Sequence, residues 1–138
     1  MIVVLDIDGV LADATHRQHH LSDRPKDWDG FFAAVGHDPV LAGGRALLRQ
    51  LGEEHEVVLL SGRPERTRAD TESWLARHGI AFSRLVLRSD DDHRPAARMK
   101  LDLIRKVGEP QDIFLVVDDD PSVIELLGLA GYRTHLHK

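Results

Sequence analysis

The chain has 138 residues, 42% of them hydrophobic and 30% charged, with a formal net charge of −5. That is enough for one hydrophobic core, expected as one domain over residues 1–138, and it excludes a disordered chain and a general nucleic-acid coat protein. There is no cysteine, so disulfides, thiolate metal sites and cysteine nucleophiles are excluded; with no basic-then-apolar leader and no membrane-length apolar run, the expected location is the cytoplasm.

The first element is an aliphatic run, Ile2, Val3, Val4 and Leu5, which lacks polar alternation and predicts an interior parallel strand over Ile2–Ile7. Asp6 and Asp8 stand at its carboxyl end, where open α/β sheets place their ligand crevice, and Gly9 permits a tight exit. Carboxylates this close repel one another and call for a cation, most simply Mg²⁺. Residues 13–40 then interrupt the pattern. His16, His19 and His20 read as surface residues, because spacing in an unassigned loop is weak evidence for a metal site. Trp28, Phe31, Phe32 and Val35 share a helical face, expected to pack this small cap-like insert onto the body; the alternative is a lid whose aromatic rings contact a substrate or stack on a base.

A second strand, Glu56–Leu60, leads into Ser61-Gly62-Arg63-Pro64. A hydroxyl and backbone amides at a helix start make a phosphate seat, to which Arg63 adds a forked contact. Strands follow at Arg84–Leu87, Ile113–Val117 and Tyr132–Leu136, separated by helical spacing, with Gly79, Gly108 and Gly131 as helix stops. The helix beginning near Pro95 carries Lys100. After the fourth strand comes Asp118-Asp119-Asp120-Pro121; Asp120 suits a helix N-cap, while three acids at a strand end point to a cation. Strands alternating with helices predict a parallel sheet covered on both faces. Residues 63–106 hold 11 of the 18 basic residues, which read either as ordinary surface variation or as a basic wall beside an acidic site.

Asp6-Ile7-Asp8-Gly9-Val10-Leu11, Ser61, Lys100 and Asp118-Asp119, in this order along the chain, resemble the four motifs of the haloacid dehalogenase superfamily of phosphohydrolases. The resemblance implies a Rossmann-like five-stranded parallel sheet of order 5-4-1-2-3, which brings the acids of the first and fourth strands together at its centre. It implies Asp6 as the nucleophile that forms an aspartyl-phosphate, and Asp8 as the acid and base. Mg²⁺ would be held by Asp6, the backbone carbonyl of Asp8, Asp118 and Asp119. Ser61 and Lys100 would hold the phosphoryl oxygens.

A narrower resemblance rests on Ser61-Gly62-Arg63, Arg88 at the end of the third strand, and Asp92 and Arg94 before Lys100. These look like the 3′-phosphatase domain of phage-type polynucleotide kinases, which implies a phosphomonoester substrate at a DNA or RNA 3′ end. Gly62, Arg63, Arg88 and Arg94 would be its substrate contacts, and a separate kinase or ligase would be a working partner. The chain departs from that pattern at Asp120, where the family carries arginine, and it has no Walker-type kinase loop. Surface ion pairing with Asp90, Asp91 and Asp92 is the competing role for Arg88 and Arg94. Free nucleotides or other small phosphorylated metabolites are the competing substrates. A signalling receiver domain uses similar parts, but its phospho-acceptor ends the third strand, where this chain has Arg88.

Overall fold

The computed structural model describes residues 1–22 and 24–138; within the predicted insert, Asp23 lies outside the described residues. Five strands form the sheet: β1 (Ile2–Leu5), β2 (Glu56–Pro64), β3 (Arg84–Arg88), β4 (Ile113–Asp118) and β5 (Thr134–Leu136). All neighbours run parallel in the order β3-β2-β1-β4-β5, the predicted order counted from the other edge. β1 is central, so both of its faces are covered and its aliphatic run needs no polar side.

The pleat divides that run between two cores. Val3, Leu5, Val57 and Leu59 face one side with Leu48 of α2 (Ala42–Gly52) and with Trp74 and Leu75 of α3 (Arg68–Arg77). Val4, Val58 and Leu60 face the other side with Leu101 and Ile104 of α4 (Ala96–Val107) and with Val123 and Leu127 of α5 (Pro121–Leu129). Each strand thus alternates between two apolar layers, the signature of a parallel sheet wound on both faces. The insert contributes a 3₁₀ segment over Thr15–Leu21, the short α1 (Trp28–Ala33) and a 3₁₀ turn over Val35–His37. Its expected aromatic face is divided: Phe31 and Val35 are buried, whereas Trp28 stays 46% exposed.

The Ser61-Gly62-Arg63-Pro64 segment does not form the predicted helix-start turn. β2 continues through Pro64 because β3 extends to Arg88 and pairs Pro64 with it, past an irregularity between Ser61 and Pro64. Pro121, by contrast, occupies the first turn of α5 behind an Asp120 cap whose carboxylate accepts the Ser122 backbone N–H at 2.9 Å.

Candidate active site

At the carboxyl ends of β1 and β4, Asp6, Asp118 and Asp119 each present one carboxylate oxygen, all within 4.8 Å of one another. The adjacency follows from register, because Leu5 pairs with Val117 and the Asp6 backbone N–H continues the ladder to the Val117 carbonyl at 3.0 Å. Gly9 lets Asp119 approach: its φ is +84°, and a Cβ there would fall 1.9 Å from Asp119 Oδ2. From α4, Lys100 reaches in with Nζ 2.6 Å from Asp118 Oδ2 and 3.3 Å from Asp6 Oδ2. Asp6, Asp118 and Lys100 are all buried.

Three carboxylates around one ammonium leave an excess of negative charge. Burial pushes the Asp6 carboxyl up; Lys100 opposes this, and the Asp118, Asp8 and Asp119 carboxylates add to it. Burial also raises Asp119, with Asp118 as the next cause. An oxygen-only donor set of excess negative charge, close enough for one small ion to contact together, fits Mg²⁺ rather than a thiophilic or imidazole-seeking metal.

Asp8, two residues on, is excluded from this trio and sits in a different field. Arg63 Nη2 and Arg17 Nη2 each donate to its Oδ1 at 2.8 Å. The same two nitrogens reach Asp38 Oδ2, Arg17 at 2.8 Å and Arg63 at 2.9 Å, while Arg17 Nε donates to Asp38 Oδ1 at 2.8 Å. Both arginines and Asp38 are buried, so two acids and two forked cations neutralise one another. Burial by itself would raise Asp8, but Arg63 and then Arg17 outweigh it and hold the carboxyl below its usual range. The surroundings lock the frame: Arg63 Nη1 donates to the Thr71 hydroxyl at 3.1 Å, and Trp74 Nε1 donates to the Asp38 carbonyl at 2.7 Å.

Asp6, Asp8, Gly62, Lys100, Asp118 and Asp119 line one open cavity of about 640 Å³. Other predicted residues stand elsewhere. Ser61 is fully buried, and its hydroxyl accepts the Arg63 backbone N–H at 3.0 Å. Arg63 is not a phosphate fork, because its guanidinium is committed to Asp8, Asp38 and Thr71. Arg94 is exposed and paired with Asp92 and Asp102 rather than turned to the cavity. Arg88 lines a second cleft of about 290 Å³ that shares Gly62 with the acid cavity. The predicted basic wall dissolves in the same way, since Arg68 pairs with Glu65 and Glu72, and Arg66 lies near Asp29 and Asp90. Arg17 and Asp38 escape the sequence reading altogether. Arg17 lies among the histidines of the insert and Asp38 before Pro39, and their pairing across 21 positions, together with Asp8 and Arg63, makes burial of either tolerable. His16 is half-exposed yet joins them, with Nε2 2.6 Å from Asp38 Oδ1.

Comparison with solved structures gives the fold the same neighbours. One chain of the Pnkp1/Rnl/Hen1 RNA repair complex superposes with a TM-score of 0.83 at 21% identity, over 99% of this chain and 42% of that one. The present chain therefore spans less than half of that relative. A HAD-family enzyme from Bacteroides thetaiotaomicron, in complex with magnesium and inorganic phosphate, superposes with a TM-score of 0.62 at 15% identity, over 99% of this chain and 93% of that one. A hydrolase from Streptococcus pneumoniae gives a TM-score of 0.62 at 20% identity, covering 99% and 92%. No curated protein matches the sequence. The family model described as the polynucleotide kinase PNKP phosphatase domain matches residues 1–134. The chain therefore belongs to the PNKP phosphatase-domain family of HAD-type phosphatases.

Proposed function

We propose that the chain is a Mg²⁺-dependent phosphomonoesterase that works through an aspartyl-phosphate on Asp6 and removes 3′-phosphates from nucleic-acid ends. The observation that carries this reading is the opposite setting of the two aspartates: Asp6 lies in an acidic cluster short of positive charge, and Asp8 lies in a balanced cage of arginines. Asp6, Asp118 and Asp119 would hold the ion, together with the Asp8 carbonyl. Bound there, Mg²⁺ would neutralise the phosphoryl oxygens and keep Asp6 ionised.

An Asp6 carboxylate oxygen attacks phosphorus as the ester P–O bond breaks, and Asp8 gives a proton to the departing oxygen. Asp8 then takes a proton from a water that attacks the same phosphorus. The acyl-phosphate P–O bond breaks, inorganic phosphate leaves and the Asp6 carboxylate is restored. The arginines favour ionised Asp8, which suits the second half-reaction. An incoming phosphate dianion, a like charge beside it, raises its proton affinity for the first. Lys100 stands where it can follow the phosphoryl oxygens, and the Ser61 hydroxyl, already accepting the Arg63 amide, keeps its own proton to donate.

The family match supports the phosphatase reading, and Arg88 in the adjoining cleft supports an anionic polymer as substrate. A separate kinase or ligase would complete end repair. The test is phosphate release from 3′-phosphorylated oligonucleotides, 3′- and 5′-mononucleotides and sugar phosphates, with Mg²⁺ and with chelator. The oligonucleotide should turn over fastest, and only with the metal. Equal turnover of all the esters would move the substrate to small metabolites, and activity in chelator would remove the metal from the mechanism.

A further inference from the structure

The cleft of about 290 Å³ beside the acid cavity has an aromatic side and a side carrying Arg88. Its two carboxylates are already engaged, Asp90 accepting the Arg66 backbone N–H and Asp92 pairing with Arg94. Trp28 and Phe32 form the aromatic side, their rings stacked with centroids 5.8 Å apart and planes 21° from parallel. The 46% exposure of Trp28 is unusual, since a ring of this size is ordinarily packed away or kept for a partner. The cation over its ring is the exposed Lys26 ammonium, 5.7 Å from the centroid and on a flexible stem.

Arg88 forms the opposite wall. A Cβ placed on Gly62 would lie 3.9 Å from Arg88 Nη2, so the guanidinium rests against the residue that the two cavities share. Its Nε is buried with no hydrogen-bond partner among the described residues, and Nη1 makes only a 3.3 Å bond to the Asp92 carbonyl. Arg66 lies 5.2 Å from the Phe32 ring centroid but is shared with Asp29 and Asp90, each 3.7 Å away, which leaves Arg88 as the cation facing the cleft. A flat apolar group with an anion beside it matches both walls.

We infer that this cleft seats an unpaired nucleobase of the strand whose 3′-phosphate occupies the acid cavity, stacked on Trp28 with its phosphodiester turned toward Arg88. The inference rests on the proposed action at nucleic-acid ends and deepens it, because a base held there must be unstacked from its neighbours. The substrate is then a single-stranded end rather than a fully paired one, and recognition tolerates any of the bases, since each has a face to stack.

The experiment compares wild type, Trp28→Ala and Trp28→Phe on two 3′-phosphorylated oligonucleotides, one natural and one with abasic sites in place of its last two nucleosides. Trp28→Ala should raise KM for the natural strand about tenfold with kcat retained, and Trp28→Phe should recover most of the loss. Neither variant should alter turnover of the abasic strand. Trp28 is the exposed member of only two tryptophans, and Trp74 is fully buried, so the natural strand should quench the fluorescence of Asp6→Asn protein and the abasic strand should not. Equal KM changes on both strands, or quenching that survives Trp28→Phe, would overturn the base seat. Failure of wild type to release phosphate from either oligonucleotide would instead overturn the nucleic-acid reading beneath it.

Discussion

Asp6 and Asp8 are two residues apart, yet they occupy opposite electrostatic regions. Around Asp6 are two further carboxylates and one ammonium, so the cluster is incomplete by itself and burial works against its charge. Around Asp8 are one further carboxylate and two guanidinium forks, so the cage is complete and the arginines outweigh the cost of burial. The contrast supports the proposed division of labour, in which one strand end supplies a metal-seeking nucleophile and a proton carrier. Strand alternation alone would turn residues 6 and 8 the same way, but β1 ends at Leu5, and the turn through Gly9 leaves the two carboxylates in different company.

The largest effect should come from breaking the balanced cage. Arg63→Ala leaves Asp8 and Asp38 short of a shared cation in a buried site, and should destabilise the fold by about 3–5 kcal/mol in urea unfolding. Arg63→Lys should recover little, because a single ammonium cannot reproduce the fork. A loss below about 1 kcal/mol would show that the cage contributes little beyond what a surface pair does.

The incomplete cluster should respond to metal instead. Mg²⁺ at a hundredfold excess over its dissociation constant should stabilise the protein by about 2.7 kcal/mol, read as a rise in Tm. Asp118→Asn should abolish the rise, while Asp8→Asn should keep it. A rise that needs the Asp8 carboxylate would erase the distinction between the two regions.

Acid should separate them by sign. The folded value of Asp8 lies below its unfolded value of 3.8, so its contribution is fully present above 3.8 and is lost as pH falls through the folded value. The folded value of Asp6 is raised, so its ionisation opposes folding above that value, and the opposition fades as pH falls toward 3.8. In chelator at neutral pH, Asp8→Asn should therefore be less stable than wild type and Asp6→Asn more stable. Both differences should shrink on acidification, that of Asp6 first. Urea midpoints across this range check the order, and a shared sign would refute it.

The sequence made the sheet and the acid trio legible because their signals are local: an unbroken aliphatic run, acids at its end, and a second such run with Asp118-Asp119. The phosphate seat at Ser61-Gly62-Arg63 was misplaced because the length of β2 depends on its partner β3, which local spacing does not reveal. Arg17 and Asp38 were invisible for a related reason. A charged residue in an irregular insert reads as solvated, and its burial becomes reasonable only when the opposite charges from Asp8 and Arg63 arrive from other parts of the fold. Arg94 erred in the other direction: its partners Asp92 and Asp102 hold it at the surface, and Arg94→Ala should change stability by no more than about 0.5 kcal/mol and leave KM unaltered. It is the smallest effect expected and a control for the rest.

The most direct test of the division between the two aspartates is to quench a reaction of the protein with Mg²⁺ and a 3′-phosphate-labelled oligonucleotide in acid within the first turnover, and to map the labelled peptide. The account predicts acid-stable, hydroxylamine-labile label on Asp6, absent in Asp6→Asn. In Asp8→Asn the label should form more slowly but, once formed, also be lost more slowly, because that variant lacks the acid of the first step and the base of the second. Label on Asp8, or full turnover by Asp6→Asn, would contradict it.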